Sequence, residues 1–156
     1  MKPVFLAALA AIAALPANAA VLTPDTGWAY DQLESPTTPT NGSPWTLTLA
    51  TPGHFSLTDS FMTGDIFTIS GDIVGVTSVF AGANDIRATG NPDAVFGWLS
   101  AAHGKFTTYL GAGTYTFSVT GNGGGGLPAG LYLRADTSIP EPATWAMLIL
   151  GFGLVG

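Results

Sequence analysis

The fold class is decided most clearly by one stretch in the second half of the chain, Thr114-Tyr115-Thr116-Phe117-Ser118-Val119-Thr120. Aromatic or aliphatic side chains occupy every second position in it, and hydroxyl side chains occupy the positions between them. Because successive side chains of a β-strand point to opposite faces of a sheet, this alternation predicts a strand with one buried and one hydrated face. We therefore expect Phe117 and Val119 to enter a core and Thr116 to face water.

Similar alternation extends this pattern over most of the central region. Alternating runs lie at 45–49, 55–58 and 66–70, and further candidate strands lie at 73–80, 95–99, 106–110 and 130–135. In the run at 55–58 we expect the hydroxyl residues Ser56 and Thr58 to face water. The alternation also implies that a single core receives Leu47, Phe67, Ile69, Phe117 and Val119.

Turn-forming residues separate these runs at short intervals, as in Thr51-Pro52-Gly53, Ser70-Gly71-Asp72 and Gly121-Asn122-Gly123. No window combines apolar residues at helical spacing with capping residues at its ends. Seven or eight short strands with this punctuation predict an all-β domain, a single antiparallel β-sandwich of jelly-roll or immunoglobulin-like type. We expect residues 35–44 to form a polar loop before the first firm strand, and the glycine run at 123–126 to form a hairpin loop.

The composition limits the classes of function. The 156 residues include four basic and ten acidic ones, for a formal net charge of −6, and only 9% of residues are charged. Four scattered cations cannot form the basic surface that neutralises nucleic-acid phosphates, so nucleic-acid binding is excluded. The absence of cysteine excludes disulfides, thiolate metal sites and cysteine nucleophiles. The charged fraction is far below the usual value of about a quarter, which favours an exported protein.

The first 19 residues have the order of a secretory signal peptide. Lys2 precedes an apolar run at 4–15, and small residues, Ala17 and Ala19, occupy the positions that a signal peptidase reads. We therefore expect export through the Sec machinery, cleavage by signal peptidase after Ala19 and a mature chain that starts at Ala20. The apolar run is too short for a membrane span, which needs about 20 residues.

The other end of the chain, residues 139–156, carries a second apolar segment. Its uncharged part, from Ala143 to Gly156, would form a helix about 21 Å long, against about 30 Å for the hydrocarbon core of a bilayer. Trp145, near its start, is the residue type that anchors at a membrane interface. The segment therefore predicts a C-terminal hydrophobic helix, similar to a transmembrane helix whose last turns are missing.

A specific motif runs through this segment and consists of Pro140, Glu141, Pro142, Trp145, Gly151, Phe152 and Gly153. In this order and spacing it resembles the C-terminal sorting signal of PEP-CTERM proteins, which are exported proteins of Gram-negative bacteria that make extracellular polysaccharide. The resemblance covers about 17 residues. It implies that an exosortase, a membrane-embedded enzyme, recognises the Pro-Glu-Pro motif and removes the tail near it. In that family a short arginine-rich cluster follows the apolar helix. The sequence stops at Gly156, so either such a cluster follows in a longer chain or the helix lacks this cytoplasmic anchor.

Together these features divide the chain into a signal peptide at 1–19, a β-sandwich passenger domain at 20–138 and a sorting segment at 139–156. The resemblance implies transient anchoring in the inner membrane, then release to the cell surface or the polysaccharide matrix. Extracellular polysaccharide is the expected partner after release. We expect the passenger to be non-enzymatic, with no catalytic residue, no cofactor and no bound metal.

A carbohydrate- or calcium-binding module is the first alternative. Oxygen-bearing side chains gather in one loop-like stretch at Asn84, Asp85, Asn91 and Asp93, and calcium takes six to eight oxygen ligands. Asn and Asp also favour turns for backbone reasons, which explains the stretch without a metal. The spacing of Asp59, Asp65 and Asp72 likewise fits successive turns rather than the paired carboxylates of a glycosidase.

A small secreted hydrolase is the second alternative. The chain has two histidines that could act as a general base, His54 and His103, and Ser100 lies three residues before the second. No Gly-x-Ser-x-Gly nucleophile elbow is present, and residues at this separation on a strand or loop often point in different directions. The sequence therefore favours a loop or edge histidine over a catalytic one.

Overall fold

The structure is a computed structural model that describes residues 19–78 and 93–137. In chain order its elements are β1 (Ala20–Leu22), β2 (Ala29–Leu33), β3 (Trp45–Leu49), β4 (Gly53–Asp59), β5 (Phe67–Gly71), β6 (Gly75–Val76), α1 (Ala94–Leu99), β7 (Lys105–Leu110), β8 (Gly113–Gly121) and β9 (Ala129–Thr137). Almost all of the regular structure is therefore strand, which confirms the all-β prediction.

The strands form two sheets. Sheet 1 has the strand order β1-β3-β8-β5-β6, and sheet 2 has the order β2-β9-β4-β7. The pairs among the described strands are antiparallel except for β1 and β3, which are parallel, with Ala20 opposite Trp45. The prediction of a purely antiparallel arrangement was therefore wrong at this edge of sheet 1.

One apolar core lies between the two sheets. Alternate residues of the strands enter it, and the five side chains expected there are each at most 1% exposed: Leu47, Phe67, Ile69, Phe117 and Val119. The sheets meet where Phe55 of sheet 2 packs edge-to-face on Phe117 of sheet 1, with 5.0 Å between ring centroids and 71° between ring planes. Since period-two alternation buries one face of each strand, the fold is β-sandwich-like.

The candidate strand at 95–99 was a wrong prediction, because these residues belong to the helix α1. Asp93 caps the helix: its Oδ1 accepts hydrogen bonds from the backbone amides of Val95 at 2.8 Å and Phe96 at 2.9 Å. The small residues Ala94 and Gly97, three positions apart, form its buried face. A local cap and a narrow face of small residues therefore decided the conformation of this apolar run.

The helix also explains a second wrong prediction, which concerned the hydrated face of β4. Thr58 is fully buried and Ser56 is 7% exposed, although both lie on the outer face of sheet 2. Helix α1 packs against this face, so closely that a Cβ on Gly97 would lie 2.5 Å from the carbonyl oxygen of Asp59. The outer face of β4 is thus covered by the helix around Thr58, whereas His54, at the other end of the same face, is exposed.

The remaining strand predictions agree with the structure to different degrees. The runs at 106–110 and 130–135 lie within β7 and β9, whereas only Gly75–Val76 forms a strand in the described part of 73–80. Residues 35–44 form a loop as expected, but β1 and β2 precede it and were not predicted. None of the helices in the described ranges is long and apolar enough to cross a membrane.

Candidate functional site

Most of the residues that the sequence singled out lie outside the described ranges. These are the sorting motif Pro140, Glu141, Pro142, Trp145, Gly151, Phe152 and Gly153, the signal-peptidase position Ala17, and the candidate calcium ligands Asn84, Asp85 and Asn91. Ala19 is described and comes directly before β1. Of the candidate calcium ligands, only Asp93 is therefore placed, and its carboxylate caps α1.

Ser100 and His103, the candidate hydrolase residues, are not hydrogen-bonded to each other. Ser100 ends α1, and its Oγ accepts a hydrogen bond from the Ala102 amide at 3.2 Å. The imidazole of His103 is 3% exposed, packs edge-on against Phe96 and has no hydrogen-bond partner at either nitrogen. Burial, with a smaller contribution from the charge of Lys105, lowers the pKa of His103. The side chain is thus a neutral ring in an aromatic contact.

A pair of buried carboxylates occupies one end of the fold and was not predicted from the sequence. Asp59 is the last residue of β4, Asp65 lies just before β5, and the short segment between them crosses from sheet 2 to sheet 1. Asp59 is 0% exposed and Asp65 is 2% exposed. Asp and Glu side chains are almost never fully buried unless a partner compensates them. This Asp59–Asp65 pair is therefore the strongest candidate for a functional site in the described ranges.

The crossing segment folds back tightly to place the two carboxylates together. Phe61 has a φ of 64°, in the left-handed region that non-glycine residues rarely adopt, and Gly64 has a φ of 103°. The amide of Met62 donates to the carbonyl of Ser60 at 2.8 Å, and the amide of Asp59 donates to the carbonyl of Gly104 at 2.9 Å. The first bond closes a tight turn within the segment, and the second attaches the start of the segment to the loop before β7.

The electrostatics of the pair are unfavourable for two bare carboxylates. Neither oxygen of Asp59 has a hydrogen-bond partner. Burial, and secondly the charge of Asp65, raise the pKa of Asp59 to about 9. The backbone amides of Ser60, Asp65 and Gly104 lie near enough to oppose this shift, but they do not reach either oxygen with hydrogen-bonding geometry. Asp59 therefore carries a proton at neutral pH unless a cation compensates its charge.

Asp65 is only partly compensated. Its Oδ1 accepts a hydrogen bond from the Gly125 amide at 2.7 Å, whereas its Oδ2 has no partner. Burial raises the pKa of Asp65, and the hydrogen bond from Gly125 opposes the shift. Three carboxylate oxygens are therefore buried in the pair without a hydrogen bond: Asp59 Oδ1, Asp59 Oδ2 and Asp65 Oδ2.

The glycine run at 123–126 packs directly against this pair. It forms a loop between β8 and β9, on which Gly125 holds Asp65. The prediction of a hairpin loop was wrong, because β8 and β9 belong to different sheets and do not pair with each other. A Cβ on Gly125 would lie 2.8 Å from the carbonyl oxygen of Thr63 and 3.2 Å from Asp65 Oδ2. Glycine is thus required here for close approach, and the run serves the carboxylates rather than a phosphate.

The alternation within β4 contains a signal that could have identified the pair. Asp59 follows Phe55 and Leu57 at a spacing of two, so it lies on the face of β4 that enters the core. A carboxylate at an inward position needs a compensating group, and this need distinguishes it from a turn residue. Asp72, the third aspartate of the series, does lie after a strand, where its Oδ2 accepts from the Thr116 amide at 2.8 Å.

The chemistry open to the pair is limited by its surroundings. In the described part of the chain, no group of three or more His, Asp or Glu side chains comes together as a metal cluster. His103 therefore does not complete a nitrogen-containing site with the carboxylates. What remains is an oxygen-only environment, which suits a proton or a hard cation.

A second surface lies on the outer face of sheet 2 and is rich in aromatic residues. Tyr30 packs edge-on against Tyr132, with centroids 5.3 Å apart. Trp28 packs against Trp98 with centroids 5.5 Å apart, and the guanidinium of Arg134 lies 5.7 Å from the Trp28 ring centroid. These contacts hold the rings at angles of 49° and 63° rather than in one plane.

The comparisons with known proteins do not assign a family to the chain. No protein-family model matches it, and no curated protein matches it. Among solved structures, it is similar to the pre-peptidase C-terminal domain of collagenase from Bacillus anthracis, a crystal structure at 1.0 Å. The similarity covers 78% of this chain and 98% of that one, with 12% sequence identity and a TM-score of 0.41.

Proposed function

We propose that the protein is an exported, non-enzymatic β-domain whose tail directs processing by an exosortase. The motif at 140–153 is the observation that carries this proposal, because its Pro-Glu-Pro, Trp and Gly-Phe-Gly order is specific. After processing, the passenger is released to the cell surface or the extracellular polysaccharide matrix. Before release, the tail anchors the protein transiently in the inner membrane.

The first and last strands of the folded domain support the division of the chain into a passenger domain and two end segments. Its first strand begins at Ala20, the expected mature N-terminus, where the amide donates to the carbonyl of Pro44 at 3.1 Å. Its last strand ends at Thr137, which binds Asp25 through its amide at 2.9 Å and its hydroxyl at 2.7 Å. Removal of both end segments therefore deletes none of the core residues described above.

We also propose that the domain is a jelly roll rather than an immunoglobulin-like sandwich. The orders β2-β9-β4-β7 and β3-β8-β5-β6 support this, since eight strands in two four-stranded sheets form a jelly roll. Consecutive strands change sheet at every connection from β2 onward except β5 to β6. In immunoglobulin domains several consecutive strands stay in one sheet. On this assignment β1 is an addition at the edge of sheet 1.

The residue types of the motif explain how the tail would be positioned for cleavage by the exosortase. Pro140 and Pro142 lack amide hydrogens and resist helix formation, so we expect Glu141 to adopt extended backbone outside the apolar segment. Trp145 then anchors at the bilayer interface, and the apolar residues after it keep the substrate beside a membrane-embedded enzyme. Glu141 is the residue that the enzyme reads.

Replacing Glu141 by Ala in the gene with its natural C-terminus tests the proposal. We expect export to continue while a membrane-bound precursor accumulates, and intact mass should show that precursor starting at Ala20. Glu34→Ala is the matched control, because it removes the same side chain from an exposed surface position. Equal release of wild type and Glu141→Ala, or equal release with and without exosortase in the host, would overturn the proposal.

A carbohydrate-binding role is the second candidate, and the aromatic outer face of sheet 2 favours it. Exposed aromatic rings bind sugars through their apolar faces, and Tyr30 is 53% exposed. We expect Tyr30→Ala to weaken retention of the protein on extracellular polysaccharide. Thr48→Ala, on the outer face of sheet 1, should leave retention unchanged; equal retention of all three proteins would reject this role.

A further inference from the structure

The three unpartnered oxygens of the Asp59–Asp65 pair indicate a missing positive charge. Both side chains are at least 98% buried, so bulk water does not reach the carboxylates. A buried polar atom without a hydrogen-bond partner destabilises the folded state, and a charged one does so more strongly. Three such atoms within one pair are a larger deficit than a folded domain normally keeps.

Basic side chains in the described ranges do not supply this charge. Arg134 pairs with Asp136 at 2.7 Å, on the outer face of sheet 2. Lys105 lies opposite Thr58 in the β4–β7 register, and it forms neither an ion pair nor a hydrogen bond with the carboxylates. Among the described residues, compensation of the pair is therefore left to a proton or to a bound cation.

From this geometry we propose that Asp59 and Asp65 bind a calcium ion between the β4–β5 and β8–β9 loops. Carboxylate and carbonyl oxygens are the ligands that calcium prefers. The carbonyl oxygen of Thr63 and Asp65 Oδ2 both face Gly125, where an added Cβ would lie 2.8 Å from the first and 3.2 Å from the second. Zinc sites are built from nitrogen and sulfur ligands as well as carboxylates, and His103 does not join this pair. Magnesium requires near-ideal octahedral geometry and retains several waters, which suits a buried pair less well than the flexible coordination of calcium.

The number of charges sets the expected affinity. Two carboxylates with carbonyl and water ligands correspond to the weak extracellular class of calcium sites, with a Kd of about 10⁻⁴–10⁻³ M. This range matches a protein that works outside the cell. The inference goes beyond the proposed sorting function and does not rest on it, since binding is measured on the purified chain without exosortase.

Thermal unfolding and calorimetric titration of the full-length chain test the site, with calcium chloride as the probe and magnesium chloride in parallel. We expect 10 mM calcium to raise the Tm by about 5 °C, reversibly with chelator, and magnesium to have a clearly smaller effect. Asp59→Asn and Asp65→Asn should each abolish the shift and the heat of binding. Asp136→Asn, which removes the same charge from the partly exposed pair with Arg134, should keep both.

The variants remain informative even if they change stability. Asparagine replaces the carboxylate with a neutral group of the same shape, so in chelator Asp59→Asn should be at least as stable as the wild type. An unchanged wild-type Tm in calcium with no heat of binding would overturn the proposal. A shift that persists in Asp59→Asn would overturn it too, because the ion would then bind elsewhere. A magnesium effect equal to that of calcium would overturn the choice of ion.

Discussion

Replacing Phe117 by Ala is expected to lower the free energy of unfolding by about 4 kcal/mol or more. The ring is 1% exposed and stands edge-to-face on Phe55, 5.0 Å away between centroids. A buried Phe→Ala change costs about 3–5 kcal/mol, and the loss of an aromatic pair places this site in the upper half of that range. Strand β8 is hydrogen-bonded to β3 on one side and β5 on the other, so the backbone cannot collapse into the cavity.

Urea unfolding followed by tryptophan fluorescence measures this loss. Thr116→Ala is the matched control in the same strand, since its side chain is exposed and its amide can still donate to Asp72. We expect the control to lose well under about 1 kcal/mol at an unchanged slope of unfolding against urea. Equal losses at the two positions would refute the register of β8 and the assignment of its inner face.

Two further predictions concern the helix and the buried histidine. Gly97→Ala should lower the free energy of unfolding, measured in urea, by about 1–3 kcal/mol, because the new Cβ would lie 2.5 Å from the Asp59 carbonyl oxygen. Val95→Ala, on the exposed face of α1, is the control and should lower it by less than about 0.5 kcal/mol. The pKa of His103 is lower in the folded chain than its usual 6.5, so its contribution to stability is present above that pH and is lost as the pH falls through the folded value. Replacing His103 by Gln should therefore flatten the fall in Tm between pH 7 and 5 relative to wild type, while the exposed His54→Gln should not; parallel curves for all three proteins would contradict this.

Period-two patterns predicted the strands whose inward residues are all apolar. In β3, β5 and β8 every inward side chain is hydrophobic, so the alternation in the sequence directly predicts which residues are buried. The strand β2 was missed because its inward residue Asp31 is charged. Its carboxylate accepts hydrogen bonds from Trp45 Nε1 at 2.9 Å, the Gly42 amide at 2.9 Å and the Gln32 amide at 2.7 Å. Trp45 and Gly42 lie more than ten residues further along the chain, so a single-sequence pattern does not contain these two partners.

The Asp59–Asp65 pair was missed for a related physical reason. An aspartate beside Ser and Gly has the local composition of a turn. Only its spacing of two residues from Leu57, along β4, indicates that Asp59 faces inward. Its enclosure comes from Gly104 and Gly125, which lie far away in sequence. Local chemistry therefore predicted the strands and turns, whereas the candidate site depends on long-range packing.

The position of β9 has a consequence for the order of events during export. This last strand lies in the middle of sheet 2, between β2 and β4, with Leu133 opposite Ala29. Sheet 2 therefore cannot close without residues 129–137. If the chain is exported N-terminus first, as proposed, this sheet stays open until those residues have crossed the membrane. The proposed tail anchor follows β9 directly, and would hold the newly complete chain at the membrane surface while that strand inserts. On this route sheet 2 would close first, while the tail still holds the chain at the membrane. Cleavage of the tail would then release a domain that is already folded.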